Sequence, residues 1–285
     1  MGHDVILYYG NERWNTAWTY SARSHYIHLH DVWGSSSNNV FAVGKRQYRR
    51  SGTRFPLILH YDSQCSSDSR ECWRKVELPD SLDLERVSFT SVWGSAADDV
   101  YVGGGSGRGH MLLHYDGTGW QEQTFPRGNG VIWGLWGTAA DDIVAATSSG
   151  MVAHYNGTEW SRIKLPDSAP IFDIWGAGSD RLFAVGTTLS SSNEQPMQHY
   201  DGTSWERVYA FTNGSSVYGV WGVGPDNVFA ISRRGRILHY DGNQWRNEEA
   251  PTDMDLRGIG GHAASGDLFA VGQDGTILQR IVTGP

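Results

Sequence analysis

The stretch Val92–Trp120, VWGSAADDVYVGGGSGRGHMLLHYDGTGW, reads as one complete structural unit. An apolar residue with Trp-Gly opens it, followed by a short Ser/Ala/Asp loop and a strand ending in glycine. A variable loop, a second strand ending His-Tyr-Asp-Gly and a further Trp complete it. The phrase recurs along the chain. Trp33, Trp93, Trp136, Trp175 and Trp221 mark its starts, with Gly260 in the sixth place, at spacings of 60, 43, 39, 46 and 39 residues. The strands that follow read VFAVG from Val40, VYVGG from Val100, IVAAT from Ile143, LFAVG from Leu182, VFAIS from Val228 and LFAVG from Leu268. The next strands read ILHYD from Ile58, LLHYDG from Leu112, VAHYNG from Val152, MQHYDG from Met197 and ILHYDG from Ile237. Four short strands at a period of about 40 residues are the signature of a β-propeller. Sheets this small cannot bury both faces alone, so neighbouring sheets must cover them. The Asp-Gly of YDGTGW supplies the positive φ of a hairpin, and Trp120 opens the outer strand.

The expected fold is therefore all-β, a six-bladed propeller of four-stranded antiparallel blades, with residues 1–285 as a single domain. The last unit stops after GTILQRI, while VILYYGNERW from Val5 resembles a third strand, a turn and an outer-strand Trp. Residues 1–20 or so are expected to complete the last blade, closing the ring with N- and C-terminal strands. Both ends offer a strand of this kind, which keeps seven blades as the alternative.

VYVGGG from Val100, followed by LLHYDGTGW from Leu112, resembles the kelch repeat, with its double glycine, then Tyr, then Trp. Most units here lack the double glycine. The DGTxW turn is also similar to the Asp-box of sialidase-like propellers, with one residue fewer. The resemblance implies propeller architecture; function has to come from the site, because this fold hosts lectins, scaffolds and enzymes.

Composition narrows the function classes. A net charge of -8 argues against nucleic-acid binding, which needs a basic surface. No apolar run approaches the roughly 20 residues of a membrane-spanning helix, and no signal peptide is visible in the chain. Of the 13 Trp, five are inner-strand anchors and Trp14, Trp73, Trp120, Trp160, Trp205 and Trp245 hold the repeated outer position, so they read as packing residues. Only Trp18 and Trp133 stand outside the repeat. His60, His114, His154, His199 and His239 sit one per blade, which suits a hydrogen bond within each turn and not a shared metal. His28 and His30 share a strand face, but no third zinc ligand follows at a recognisable spacing, so no metal and no cofactor is expected.

The candidate site lies where the repeat lets go. Three residues before each anchor stand His30, Thr90, Trp133, Phe172, Tyr218 and Arg257, unlike one another while their neighbours repeat. They are expected to ring the channel mouth, as a ligand site or a plug. The loops between second and third strands are expected on the same face and are basic, with Lys45, Arg46, Arg49, Arg50 and Arg54 in the first, Arg108 and His110 in the second and Arg233, Arg234 and Arg236 in the fifth. Acids such as Asp98, Asp99, Asp141 and Asp142 gather on the opposite turns. Such polarity steers anions, and Arg forks suit carboxylate, sulfate or phosphate. The leading expectation is a non-enzymatic, lectin-like recognition module for an anionic glycan, small molecule, peptide or protein surface. The alternatives are a lyase or hydrolase on an acidic substrate, using His28 or His30 as base and Arg257 on developing charge, and a pure protein-interaction scaffold. Cys65 and Cys72 are the only cysteines and read as a local disulfide, with reduced thiols as the alternative. A disulfide would favour a secreted, periplasmic or cell-surface protein.

Overall fold

The computed structural model describes residues 4–10, 13–20, 22–63, 72–166, 169–187, 196–210, 216–262 and 266–280. Two compact units divide the chain, Met1–Ile132 and Trp133–Pro285. Among the described residues the regular structure is all strand, apart from one short 3-10 turn at Gln273–Gly275.

In the first unit, β1 (Asp4–Gly10) and β2 (Arg13–Tyr20) pair with Tyr9 opposite Trp14, the relation that Tyr115 has to Trp120. This third-strand and outer-strand pair is a separate two-stranded sheet. Its Ile6, Trp18 and Tyr20 pack on Ile27, Ala42, Leu57 and Leu59 of the first four-stranded sheet. That sheet runs in chain order through β3 (His25–Ser36), β4 (Asn39–Tyr48), β5 (Arg54–Asp62) and β6 (Trp73–Lys75). The second set is β7 (Ser88–Ala96), β8 (Asp99–Ser106), β9 (Gly109–Tyr115) and β10 (Trp120–Glu122). The basic segment after Gly44 is not a loop, as its charge suggested. β4 continues to Tyr48, and Lys45, Arg46 and Gln47 pair with Pro56, Phe55 and Arg54 of β5. A tight turn with Gly52 at φ 68 reverses the chain.

In the second unit, β11 (Gly130–Ala139), which crosses the boundary, leads into β12 (Asp142–Thr147), β13 (Val152–Tyr155) and β14 (Trp160–Ile163). A four-stranded sheet follows from β15 (Ile171–Gly178), β16 (Arg181–Gly186), β17 (Pro196–Tyr200) and β18 (Trp205–Ala210). The next comprises β19 (Val217–Gly224), β20 (Asn227–Ser232), β21 (Ile237–Tyr240) and β22 (Trp245–Glu248). The last has three described strands, β23 (Leu256–His262), β24 (Asp267–Gly272) and β25 (Ile277–Arg280). All these neighbours are antiparallel, so the fold is an all-β propeller of repeated small sheets.

The Trp-Gly anchor is an inter-sheet lock. A Cβ built on Gly176 would stand 2.6 Å from the ring of Trp136, one on Gly222 2.7 Å from Trp175, and one on Gly261 2.7 Å from Trp221. In the first unit Gly94 meets Trp33 in the same way, at 2.7 Å. Each of these four anchor Trp rings thus lies against the glycine at the matching place of the following sheet. Only glycine lets the ring that close, because interiors are packed to crystal-like density. Gly260, which stands where a sixth Trp would, faces open space.

The His-Tyr-Asp-Gly phrase is also spent on architecture. Tyr115, Tyr155 and Tyr200 donate their hydroxyls to Gly117, Gly157 and Gly202 at 3.0 Å each. Asp116 and Asp201 accept main-chain N–H bonds from the residues two and three ahead, which is an Asx turn. Those bonds, with the Thr118 hydroxyl as the first cause, hold Asp116 down to a pKa of about 2. His114 and His154 reach Asp99 and Asp142 of the preceding turns at 2.6 and 2.7 Å, and His60 and His239 reach Asn39 and Asn227 at 3.0 and 2.8 Å. Cys72 is buried and disulfide-bonded; its only possible partner, Cys65, lies outside the described residues.

Candidate functional site

Five of the six variable positions share a backbone cause. Pairing between the first and second strands slips by one residue between Leu29 and Asp31, Phe89 and Ser91, Ile171 and Asp173, Val217 and Gly219, and Leu256 and Gly258. The residue skipped each time is His30, Thr90, Phe172, Tyr218 or Arg257. Each is the extra residue of a β-bulge, which leaves the ladder and re-aims its side chain. The bulge brings the strand's own carbonyl against the second strand. A Cβ on Gly186 would lie 2.0 Å from the Pro170 oxygen, and one on Gly104 2.2 Å from that of Ser88. This explains why these second strands end in glycine. Where Ser232 replaces it, the hydroxyl donates to the Ser216 carbonyl at 2.7 Å instead.

In the second unit the freed side chains meet. Trp133 packs edge-on against Phe172 at 4.9 Å between centroids, and Phe172 stacks on Tyr218 at 5.7 Å and 15°. The Arg257 guanidinium lies 4.2 Å from the Tyr218 ring centre. Arg233 Nε donates to the Tyr218 hydroxyl at 2.7 Å. Asp255 orders the cationic end, accepting from Arg257 Nη2 at 2.9 Å and from the Arg234 main-chain N–H at 3.1 Å. The three rings are half-buried while Arg257 and Arg233 are exposed. The result is a ladder of aromatic faces ending in two guanidiniums, able to cover apolar surface along its length and hold an anion at one end.

Arg234, the arginine expected at this site, takes the left-handed turn at φ 56 and contributes its main chain, while Arg233 carries the ring contact. Sequence spacing placed Arg233 in this basic loop but singled out Arg234, and it missed Asp255 as a site residue. Loop conformation decides between adjacent arginines, and no periodicity reports it.

The first unit holds the other candidates. Thr90 donates its side-chain hydroxyl to the Ile132 main-chain carbonyl at 2.5 Å. Arg46 lies over the rings of Tyr48 and Phe55 at 5.4 and 5.9 Å, and Arg49 over Tyr26 at 5.4 Å. His28 meets Tyr26 edge-on at 4.8 Å, and Arg50 is exposed at the turn. Arg108 forms an exposed ion pair with Asp83 at 2.8 Å, and His110 packs edge-on to Phe125 with Nδ1 3.4 Å from the Pro126 oxygen. His30 keeps an exposed edge, yet desolvation by surrounding atoms, then the Lys45 charge and then His28, bring its pKa down to about 4. Beside it Asp31 accepts Val92 N–H at 2.8 Å and the Ser91 hydroxyl at 3.3 Å. Burial outweighs those bonds and lifts its pKa to about 6. Asp173 repeats the device in the second unit, accepting Ile174 N–H and Val220 N–H at 2.9 Å each. This carboxylate clip between successive sheets stands two residues before the anchor Trp. The sequence carries that signal only in these two units, since Ser91, Gly134, Gly219 and Gly258 hold the place elsewhere.

No family model matches the chain, and no curated protein does. Solved structures do. YCF48 bound to D1 peptide is 16% identical with a TM-score of 0.66, over 96% of this chain and 85% of that one. YCF48 from Cyanidioschyzon merolae is 14% identical with a TM-score of 0.58, over 91% and 97%. The Swd1 β-propeller domain of Myceliophteria thermophila is 12% identical with a TM-score of 0.62, over 94% and 87%. At these identities the likeness speaks to fold alone, and the fold it shows is the β-propeller read from the repeat.

Proposed function

We propose that this chain is a protein-interaction propeller whose ladder of Trp133, Phe172, Tyr218 and Arg257 takes an extended peptide segment with an acidic group. The observation that carries the reading is the Tyr218 end of the ladder, where two guanidiniums contact one aromatic ring. Flat, half-exposed rings give contact area at low entropic cost, and the arginines orient a carboxylate beside them. Some propellers of similar fold have protein partners, including YCF48 bound to D1 peptide and the mitotic checkpoint complex. A peptide suits a ladder better than a glycan does, because one continuous run of rings matches a single extended segment. The enzyme alternative loses support at His30, which is neutral at physiological pH and too weak a base at a pKa of about 4. The disulfide of Cys72 suits an oxidising compartment and supports the reading of a secreted, periplasmic or cell-surface protein.

Selection from a random peptide library, with a glycan array in parallel, tests the proposal. Acidic peptides are expected to be captured, and the double variant Arg257→Ala/Arg233→Ala is expected to weaken them by at least about tenfold, or 1.4 kcal/mol. Binding should also weaken as salt rises. Capture of glycans but no peptides, or of peptides indifferent to both arginines, would overturn it.

A further inference from the structure

A second recessed region lies away from the ladder, and the repeat provides its own control. In five of the sheets the middle of the second strand faces the His of the third. The pairs are Phe41 with His60, Tyr101 with His114, Phe183 with His199 and Phe229 with His239. In all four the ring stacks on the imidazole, at 4.2, 4.2, 4.6 and 4.4 Å. Phe183 also bridges to the next sheet, reaching Tyr240 and Trp245 at 5.6 and 5.9 Å. Phe41 does the same with Tyr115 and Trp120 at 6.3 and 6.1 Å.

The third sheet breaks the pattern. Val144 holds the aromatic register opposite His154, and no ring stacks on that imidazole among the described residues. At this place opens a cavity of about 880 Å³ lined by Trp136, Val144, His154, Leu182, Tyr200 and Trp205. The equivalent recess beside Phe41 measures about 490 Å³. Tyr200 and Trp205 are the counterparts of the Tyr and Trp that receive Phe183 and Phe41 elsewhere. The wall is therefore shaped for a ring that this sheet does not supply. Around it stand polar groups, Asp141, Lys164, Ser179, Thr203 and Ser204, suited to the amides of a chain carrying that ring.

We propose that this slot binds an aromatic side chain presented by a protein partner, with the ring stacked on His154 where a Phe stacks in the sister sheets. The site is separate from the ladder and does not depend on it.

The test uses N-acetyl-tryptophanamide as probe, with N-acetyl-leucinamide and free indole as comparisons, followed by amide NMR on the intact chain. The aromatic amide is expected to shift the signals of Val144, His154 and Trp205, and to bind at least about fivefold more tightly than either comparison, a difference of about 1 kcal/mol. Val144→Phe is expected to fill the slot, abolish the shifts and leave the fold intact or more stable. Should that variant misfold, Val144→Leu serves, with the shifts expected to weaken severalfold. Equal binding of the leucine amide would remove the aromatic specificity, and equal binding of indole would remove the peptide origin. Shifts that persist in folded Val144→Phe, or no shift even with the probe at about 10 mM, well above a Kd of about 1 mM, would overturn the proposal.

Discussion

Trp133 and Trp136 stand three residues apart on β11, yet they do opposite work. Trp136 lies on Gly176 and locks one sheet to the next, at a spacing no other residue at position 176 permits. Trp133 is half-buried and turns its ring toward Phe172 and the ladder. The difference teaches where a repeat protein keeps its function. Positions that recur are spent on locks, turns and strand pairing, while the position three residues before the lock is released from those duties, by a β-bulge in five of the sheets. Variation at the bulge costs little stability, so it is free to differ from sheet to sheet.

The sharpest way to break the comparison is to overfill a lock. Gly176→Ala or Gly222→Ala is expected to destabilise by about 1–3 kcal/mol, or more if the ring cannot shift. Gly260→Ala, in open space, is expected to change stability by less than about 0.5 kcal/mol in the same denaturant titration. Equal effects at these glycines would mean the Trp contacts do not hold the sheets together.

Next in size is the carboxylate clip. Asp173→Ala leaves the N–H groups of Ile174 and Val220 without this acceptor, a cost of about 1–3 kcal/mol. Arg257→Ala on the ladder is expected to move stability by no more than about 0.5 kcal/mol while weakening binding. A large stability loss at Arg257 would place it with the architectural residues.

The smallest net effect on wild type comes from a pair of opposed titrations at neighbouring residues, which largely cancel one another. His30, lowered from 6.5 to about 4, binds fewer protons when folded, so its contribution to stability rises with pH between those values. Asp31, raised from 3.8 to about 6, binds more protons when folded, so its contribution falls over nearly the same window. The stability advantage of wild type over His30→Gln should therefore grow from pH 4 to 6.5, and that over Asp31→Asn should shrink from pH 4 to 6. Parallel curves for wild type and both variants would show that neither environment is as described.

The fold was legible because its locks are written as fixed residues at a fixed period. The variable positions were legible too, once the anchors were aligned. Their cause was not, since a bulge is a slip in register and leaves no residue type of its own. The basic segment from Lys45 to Arg54 misled for a related reason: charge reads as loop, but Lys45, Arg46 and Gln47 continue β4 between β3 and β5. Val144 stood in plain view within IVAAT, at the place where its fellows carry Phe or Tyr, but its meaning needed the neighbouring Tyr200 and Trp205 in place.

The central claim, that the bulge-borne ladder is the recognition surface, rests most directly on the indole N–H signals of the tryptophans. Titrated with an acidic peptide selected on the protein, the Trp133 signal is predicted to move while those of Trp136, Trp175 and Trp221 stay fixed. Movement of the lock tryptophans with a silent Trp133 would contradict the account.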